Sequence, residues 1–309
     1  MATTGVSERV TTRRKLGSFQ RREWVAGYLF ASPFIIGFLL FIAYPMLYSV
    51  YLIFQKWDLI SPPKFVGFAN IVNLFTDPKA SLSLYNTAYY TLLAVPGQIV
   101  LAFLLALALT RPLMFRNFYR AGFYMPIILP LVASAVVWQR VFHPEYGILN
   151  QALGWFGIPP QPWLFTKDQA KLAFIIMSFS LIGRQMVIFI AGLGNIPESV
   201  LEAASIDGAG PVRRLFSVTI PLMTPLILYN AVIAVVNSFQ IFIPALIMTQ
   251  GGPEDATLFS VLYIYRQGFE YFNMGYAAAL AWVLFFIIMA LTLFVFKYVG
   301  RMVHYEDAE

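Results

Sequence analysis

Residues 80–110 read ASLSLYNTAYYTLLAVPGQIVLAFLLALALT, a run without one Asp, Glu, Lys or Arg. A helix needs about 20 mostly apolar residues to cross roughly 30 Å of hydrocarbon, and this run supplies more than enough. A barrel strand would need only about 10 residues, alternating apolar and polar, and the run does not alternate. It reads as a transmembrane helix.

Working outward, residues 24–55, 121–139, 215–253 and 271–296 are also free of charge, and 172–194 carries only Arg184. The expectation is an all-α integral membrane protein with six transmembrane helices, at about 25–54, 86–110, 121–139, 172–194, 218–249 and 274–296. They form one membrane domain, 25–300, between a basic tail, 1–24, and a short tail, 301–309. Composition agrees: of 309 residues, 59% are hydrophobic and 12% charged, against about 45–50% and about 25% in soluble domains. So much apolar surface excludes disorder. The absence of Cys excludes disulfide scaffolds, thiolate metal sites and cysteine nucleophiles.

The first apolar run exceeds the roughly 7–15 residues of a signal-peptide core and is followed by no small-residue cleavage site, so it reads as a retained helix. Its length implies tilt, a bend near Pro45, or extension beyond the bilayer. Pro96, Pro126, Pro130, Pro225 and Pro244 also fall within spans. Neighbouring helices or water must satisfy the carbonyls they free.

Lys and Arg counts set the orientation. Most of the 21 lie on one side: six in the amino tail (Arg9, Arg13, Arg14, Lys15, Arg21, Arg22), then Arg111, Arg116, Arg120, Arg213, Arg214, Lys297 and Arg301. By the positive-inside rule that side is the cytoplasm and holds both termini. Next to a span, such a tail reads as a topology and lipid-surface signal; no nucleic-acid partner is expected. On the opposite side, loop 140–171 holds Trp155, Pro159, Pro160, Pro162 and Trp163. It reads equally as an ordered cap or as a docking surface.

Loop 195–217 differs from the others. Pro197 suits a first helical position, and Glu198 and Glu202 suit the positive end of a helix dipole. Val200, Leu201, Ala203 and Ala204 make a mostly apolar stripe over about two and a half turns. Gly208 can stop the helix in the left-handed conformation, and Pro211 restarts a second short one. An elbow on the cytoplasmic face results. Lipid surfaces favour basic helices, whereas the first half of this elbow is acidic, with a small-residue centre suited to a protein groove.

Glu202-Ala203-Ala204, then Gly208, then Val218-Thr219-Ile220-Pro221 resembles the EAA signature of ABC-importer membrane subunits, E-A-A-x3-G-x9-I-x-L-P. Val218 and Ile220 are the only departures, and both are conservative. Thr249-Gln250-Gly251-Gly252-Pro253, Tyr44-Pro45 and Phe65-Val66-Gly67 are similar to the maltose and glycerol-3-phosphate type of these permeases, so the likeness runs from about residue 25 to the end. The resemblance implies the type I importer permease fold, in the inner membrane, for a carbohydrate or related polyol. It implies a coupling contact at Glu198, Leu201, Glu202, Ala203, Ala204, Asp207 and Gly208. It also implies partners: a second homologous permease in a heterodimer, two ATP-binding subunits that hold ATP and Mg, and an extracytoplasmic solute-binding protein. This chain itself needs no cofactor.

Polar groups at lipid depth mark candidate pathway residues. Arg184 lies near the middle of 172–194, where insertion costs about 2.5–3.5 kcal/mol, with Gln185 beside it. Asn230, Asn237 and Gln240 fall within one arc of the fifth span, with Ser238 adjacent. Such a stripe either lines a hydrophilic path or bonds to another helix. The resemblance favours the path, because it draws substrate contacts from the fourth and fifth helices. Gly275 and Ala279 read as a close-packing pair. Enzyme chemistry has little support: the chain contains no G-x-x-x-x-G-K-[ST] loop, and His143 and His304 lie apart from other metal ligands. The alternative function is a stand-alone secondary carrier or channel. Ion coupling by such a carrier calls for acidic or His residues inside the helices, and this chain has none there.

Overall fold

The computed structural model describes residues 18–299, with side chains from 21 to 297. Most of the basic amino tail, and the tail 301–309, lie outside the described residues. The chain divides after Tyr51 into two units.

The first unit holds α1, Ser18–Phe38, and the start of α2, Tyr44–Ile53, joined by a π turn at Leu39–Ala43. The turn widens just before Pro45. Pro45 has no N–H for the carbonyl one turn back, and its ring crowds that carbonyl. Widening the turn relieves the crowding, and the Tyr44 N–H donates to Leu39 O. The same device recurs at Leu215–Thr219, where the Ile220 N–H donates to Leu215 O one residue before Pro221.

In the second unit, Gln55–Lys56 (β1) and Lys64–Phe65 (β2) pair antiparallel, with Gln55 opposite Phe65. Two helices follow, α3 at Ala69–Thr76 and α4 at Pro78–Thr110. Asp77 caps α4, accepting the Lys79 N–H, and Pro78 takes the first turn, where a missing N–H costs nothing. At 1.5 Å per residue α4 is about 50 Å long, longer than the hydrocarbon is thick. It packs against at least five of the helices that follow.

The remaining helices are α5, Arg116–Ile128; α6, Leu131–Val141; α7, Ile148–Gly154; α8, Lys167–Phe179; α9, Gly183–Gly194; α10, Glu198–Ile206; α11, Pro211–Arg214; α12, Ile220–Phe239; α13, Ile243–Met248; α14, Ser260–Tyr265; and α15, Met274–Val299. Among the described residues, Arg21–Ile53, Pro78–Thr110, Pro211–Met248 and Met274–Lys297 are long and apolar enough to cross a membrane. Two bent pairs bring the number to six if each is one crossing: α5 with α6, at 105°, and α8 with α9, at 43°. The stretch 121–139 is therefore not one straight helix. Leu129 is extended and Pro130 caps α6, as steric crowding ahead of a proline requires.

Two buried clusters mark the two ends of α4. Ala80, Tyr90 and Ala94 pack with Phe142, Trp163, Phe174 and Phe259 at one end. Ala102, Phe103, Ala106 and Leu109 pack with Met186, Phe189 and Met223 at the other, where Ile196 and Leu215 lean on the same cluster. The elbow therefore sits at the end of α4 opposite loops 140–171 and 249–259.

Loop 140–171 is ordered around Asn150. Its amide donates to Pro144 O and Gln161 O, and its carbonyl accepts from the Gln161 N–H and Trp163 Nε1. Trp155, in contrast, is 85% exposed, so an ordered base carries an uncovered aromatic tip. Gly275 packs its bare Cα against the backbone of Leu52 and Gln55, and Ala279 lies in the same cluster, a close approach that a side chain would block.

Candidate functional site

Polar groups that the sequence scatters over several helices meet at one cavity of about 870 Å³ in the second unit. Arg184, Gln185, Asn230, Asn237, Ser238 and Gln240 all line it. Tyr90 and Gln98 of α4 and Tyr229 of α12 line it too; Gln98 was legible by the same test that singled out Asn230, a polar residue inside an apolar run.

Three helix breaks end at this cavity. Ile127 and Leu131 flank the α5–α6 break, Leu181 lies in the α8–α9 break, and Gln240, Ile241 and Phe242 form the gap between α12 and α13. Irregular backbone at membrane depth is tolerated where it lines a wet cavity or is buried in protein. The gap at 240–242 also brings Pro244 into the first turn of α13, where its missing N–H is harmless.

The breaks refine one expectation and correct another. Arg184 lies near the middle of 172–194 as expected, but because that stretch is bent it is the second residue of α9, exposed to the cavity. Gln240 does not share the helical arc of Asn230 and Asn237, because α12 ends at Phe239. Gln240 and Asn237 are exposed, whereas Asn230 is buried and donates to Leu226 O of its own helix at 3.0 Å. Ser238 bonds another helix: its hydroxyl reaches Thr91 Oγ1 of α4 at 3.0 Å. The fifth stretch thus both lines the cavity and bonds to another helix.

Close approaches hold these elements in place. A Cβ on Gly183 would meet Phe123 O at 2.6 Å and Tyr124 Cα at 2.9 Å, so α9 starts directly against the backbone of α5. Gly192 lies as tightly under Leu226 and Met223 of α12. On α4, the fully buried Asn86 donates to Asp255 O at 2.9 Å and accepts from Lys171 Nζ at 3.1 Å, tying loop 249–259 to α4 and α8. Asp77 accepts from the hydroxyls of Tyr263 and Tyr276. Burial raises the Asp77 carboxyl, but the two hydroxyls and the Lys79 and Ala80 amides outweigh it and hold the group below its ordinary value. The Asn86 and Asp77 contacts escape sequence reading because their partners are 85 to 199 residues away.

The elbow is the second candidate site. Pro197 caps α10 rather than opening it, and Glu198 is the first helical residue. Val200, Leu201 and Ala204 are half-buried, whereas Glu198, Glu202, Ala203, Asp207 and Gly208 are exposed. Gly208 adopts φ +77°. Its N–H donates to Ser205 O, and the Ala209 N–H donates to Ala204 O, the paired bonds of a Schellman stop. Arg214 Nη1 donates to Ser205 Oγ at 2.7 Å and joins the two halves of the elbow.

The family model for the binding-protein-dependent transport system inner membrane component matches residues 83–304. The chain belongs to that family. The permease is 42% identical to the "Probable ABC transporter permease protein YesP" of Bacillus subtilis (strain 168), over 94% of this chain and 95% of the relative. It is 34% identical to the sn-glycerol-3-phosphate transport system permease protein UgpA of Agrobacterium fabrum, over 90% and 96%. With the arabinooligosaccharides transport system permease protein AraP of Bacillus subtilis it shares 30%, over 89% and 88%. Among solved structures, a chain of a bacterial alginate ABC transporter, in complex with an alginate pentasaccharide-bound periplasmic protein, has the same fold. The TM-score is 0.79 at 22% identity, covering 91% of this chain and 96% of that one. The permease is thus a multi-pass inner-membrane component of an ABC transporter.

Proposed function

We propose that this permease forms half of the translocation pathway of an ATP-driven importer for a carbohydrate or related polyol. It crosses the membrane six times, with both termini in the cytoplasm, and a second homologous permease supplies the other half. Partner ATPases hold ATP and Mg and close on the elbow at 198–208, and a solute-binding protein delivers the solute from outside. Closure pulls on the elbow and swings the cavity between inward and outward access.

The observation that carries this reading is the separation of two polar features on one scaffold. The cavity gathers the side chains suited to a hydroxyl-rich solute, and the acidic elbow leaves its carboxylates and Ala203 uncovered at one end of α4. The names of UgpA and AraP support a carbohydrate-related solute. Family membership argues against the stand-alone carrier.

Replacing Glu202-Ala203-Ala204 with Gly-Ser-Gly tests the coupling contact. The variant should insert normally and lose co-purification with the ATPase subunits. Retained assembly together with retained transport would refute the role.

A further inference from the structure

The cavities of the second unit share a pattern of charge. Arg184 is the single charged residue lining the larger one, and no carboxylate faces it. Among the described residues Arg184 has no hydrogen-bond or ion-pair partner. It stands in the first turn of α9, whose N-cap, Ile182, supplies no side-chain bond. The unpaired first-turn amides and the positive end of the helix dipole therefore add to the guanidinium.

A second cavity, of about 460 Å³, lies at the far end of α13 from the first and repeats the pattern. Arg140 and His143 line it, together with Gln139 and Thr249, and again no carboxylate does. The Glu145 N–H donates to His143 Nδ1 at 3.2 Å, which leaves Nε2 to carry the ring proton as a donor. Among the described residues Arg140 meets a neutral partner there, the Tyr146 hydroxyl at 2.9 Å, and no carboxylate.

A neutral sugar is served by groups that both donate and accept, such as Gln185 and Asn237. A guanidinium only donates, and a neutral solute offers its charge no counter-charge. A carboxylate, sulfonate or phosphate balances that charge and matches the two-pronged Arg fork. We infer that the solute is an anionic saccharide, its acidic group on Arg184 and its rings against Tyr229 and Phe242, the aromatic side chains lining the same cavity that are not buried. This rests on the carbohydrate reading above and narrows it.

The test is equilibrium binding to the complete permease–ATPase complex in nanodiscs, without the binding protein, so that the receptor's own selectivity does not enter. The panel pairs a uronic-acid disaccharide and a sugar phosphate with neutral disaccharides of the same size. Either acid should bind at least about tenfold tighter than its neutral counterpart, the value of one good charge-assisted pair. Arg184→Gln should lower that acid-over-neutral ratio by about tenfold, and Arg184→Lys, which keeps the charge but not the fork, should retain part of it. Equal binding of acidic and neutral sugars by the wild type overturns the inference, even if the variants fail to assemble. An unchanged ratio in Arg184→Gln overturns it as well. ATP-driven uptake of sugars with no preference for acids leaves the carbohydrate reading standing and removes this one. Failure of both classes to be taken up removes both readings.

Discussion

Arg214 reaches back across the corner of the elbow to Ser205, Nη1 to Oγ at 2.7 Å, and Ser205 passes the bond on to Leu201 O at 2.8 Å. A helix of nine residues and one of four are thereby joined into one body. A lever transmits force only if it does not fold at its own corner. The contact is exposed, so removing it costs about 0.5–1 kcal/mol. Arg214→Ala should therefore lower the melting temperature of the solubilised protein by no more than about 2–4 °C. Solute moved per ATP hydrolysed, measured in proteoliposomes, should fall severalfold. An unchanged ratio would show that the corner needs no brace.

Gly208 separates a backbone requirement from a packing one. Its φ is +77°, and a Cβ there would meet nothing within 4 Å. Gly208→Asn should be tolerated, since Asn visits the left-handed region, whereas Gly208→Val should cost about 1–2 kcal/mol. Limited proteolysis within 205–211 reads the difference. Equal protection of both variants would mean that the Schellman stop does not set the elbow.

Gly183 and Gly194 open and close the same helix and should behave oppositely. Gly183→Ala places a methyl against Phe123 O, 2.6 Å away, and should destabilise by about 1–3 kcal/mol. Gly194→Ala enters open space and should be neutral. Thermal unfolding in detergent compares them, and equal melting temperatures would contradict the close approach of α5 and α9.

Asp77 carries a pH dependence of known sign. Its carboxyl is held below the ordinary value of 3.8 in the folded chain. Its stabilising contribution is thus complete at neutral pH and is lost as pH falls through the folded value. The stability difference between wild type and Asp77→Asn should be constant from pH 7 to about 5 and shrink below 3.8. A difference that opens or closes near pH 6 would assign the effect to another group.

Much of this was readable in the chain. Long runs without charge become helices because hydrocarbon leaves a single segment no other way to satisfy its own backbone. The elbow was readable residue by residue, from the acidic start of α10 to the left-handed Gly208 and the restart at Pro211. What composition does not encode is direction. Pro96 and Pro225 lie within continuous helices, while Pro130 and Pro244 stand beside breaks, and neighbouring packing makes the difference. For the same reason the sequence put Arg184 near the middle of a stretch without showing that a half-helix starts there. The contacts of Ser238 with Thr91, and of Asn86 with Asp255 and Lys171, join residues remote in sequence, where periodicity carries no information.

The sidedness of the elbow is the most direct test of the whole proposal. The chain contains no Cys, so one introduced thiol reports alone. Ala203→Cys, on the exposed face of α10, should resist a membrane-impermeant maleimide in intact cells. It should react once the cells are permeabilised, and be shielded again when the ATPase subunits are bound. Labelling of Ala203→Cys from the external medium would contradict the proposal outright.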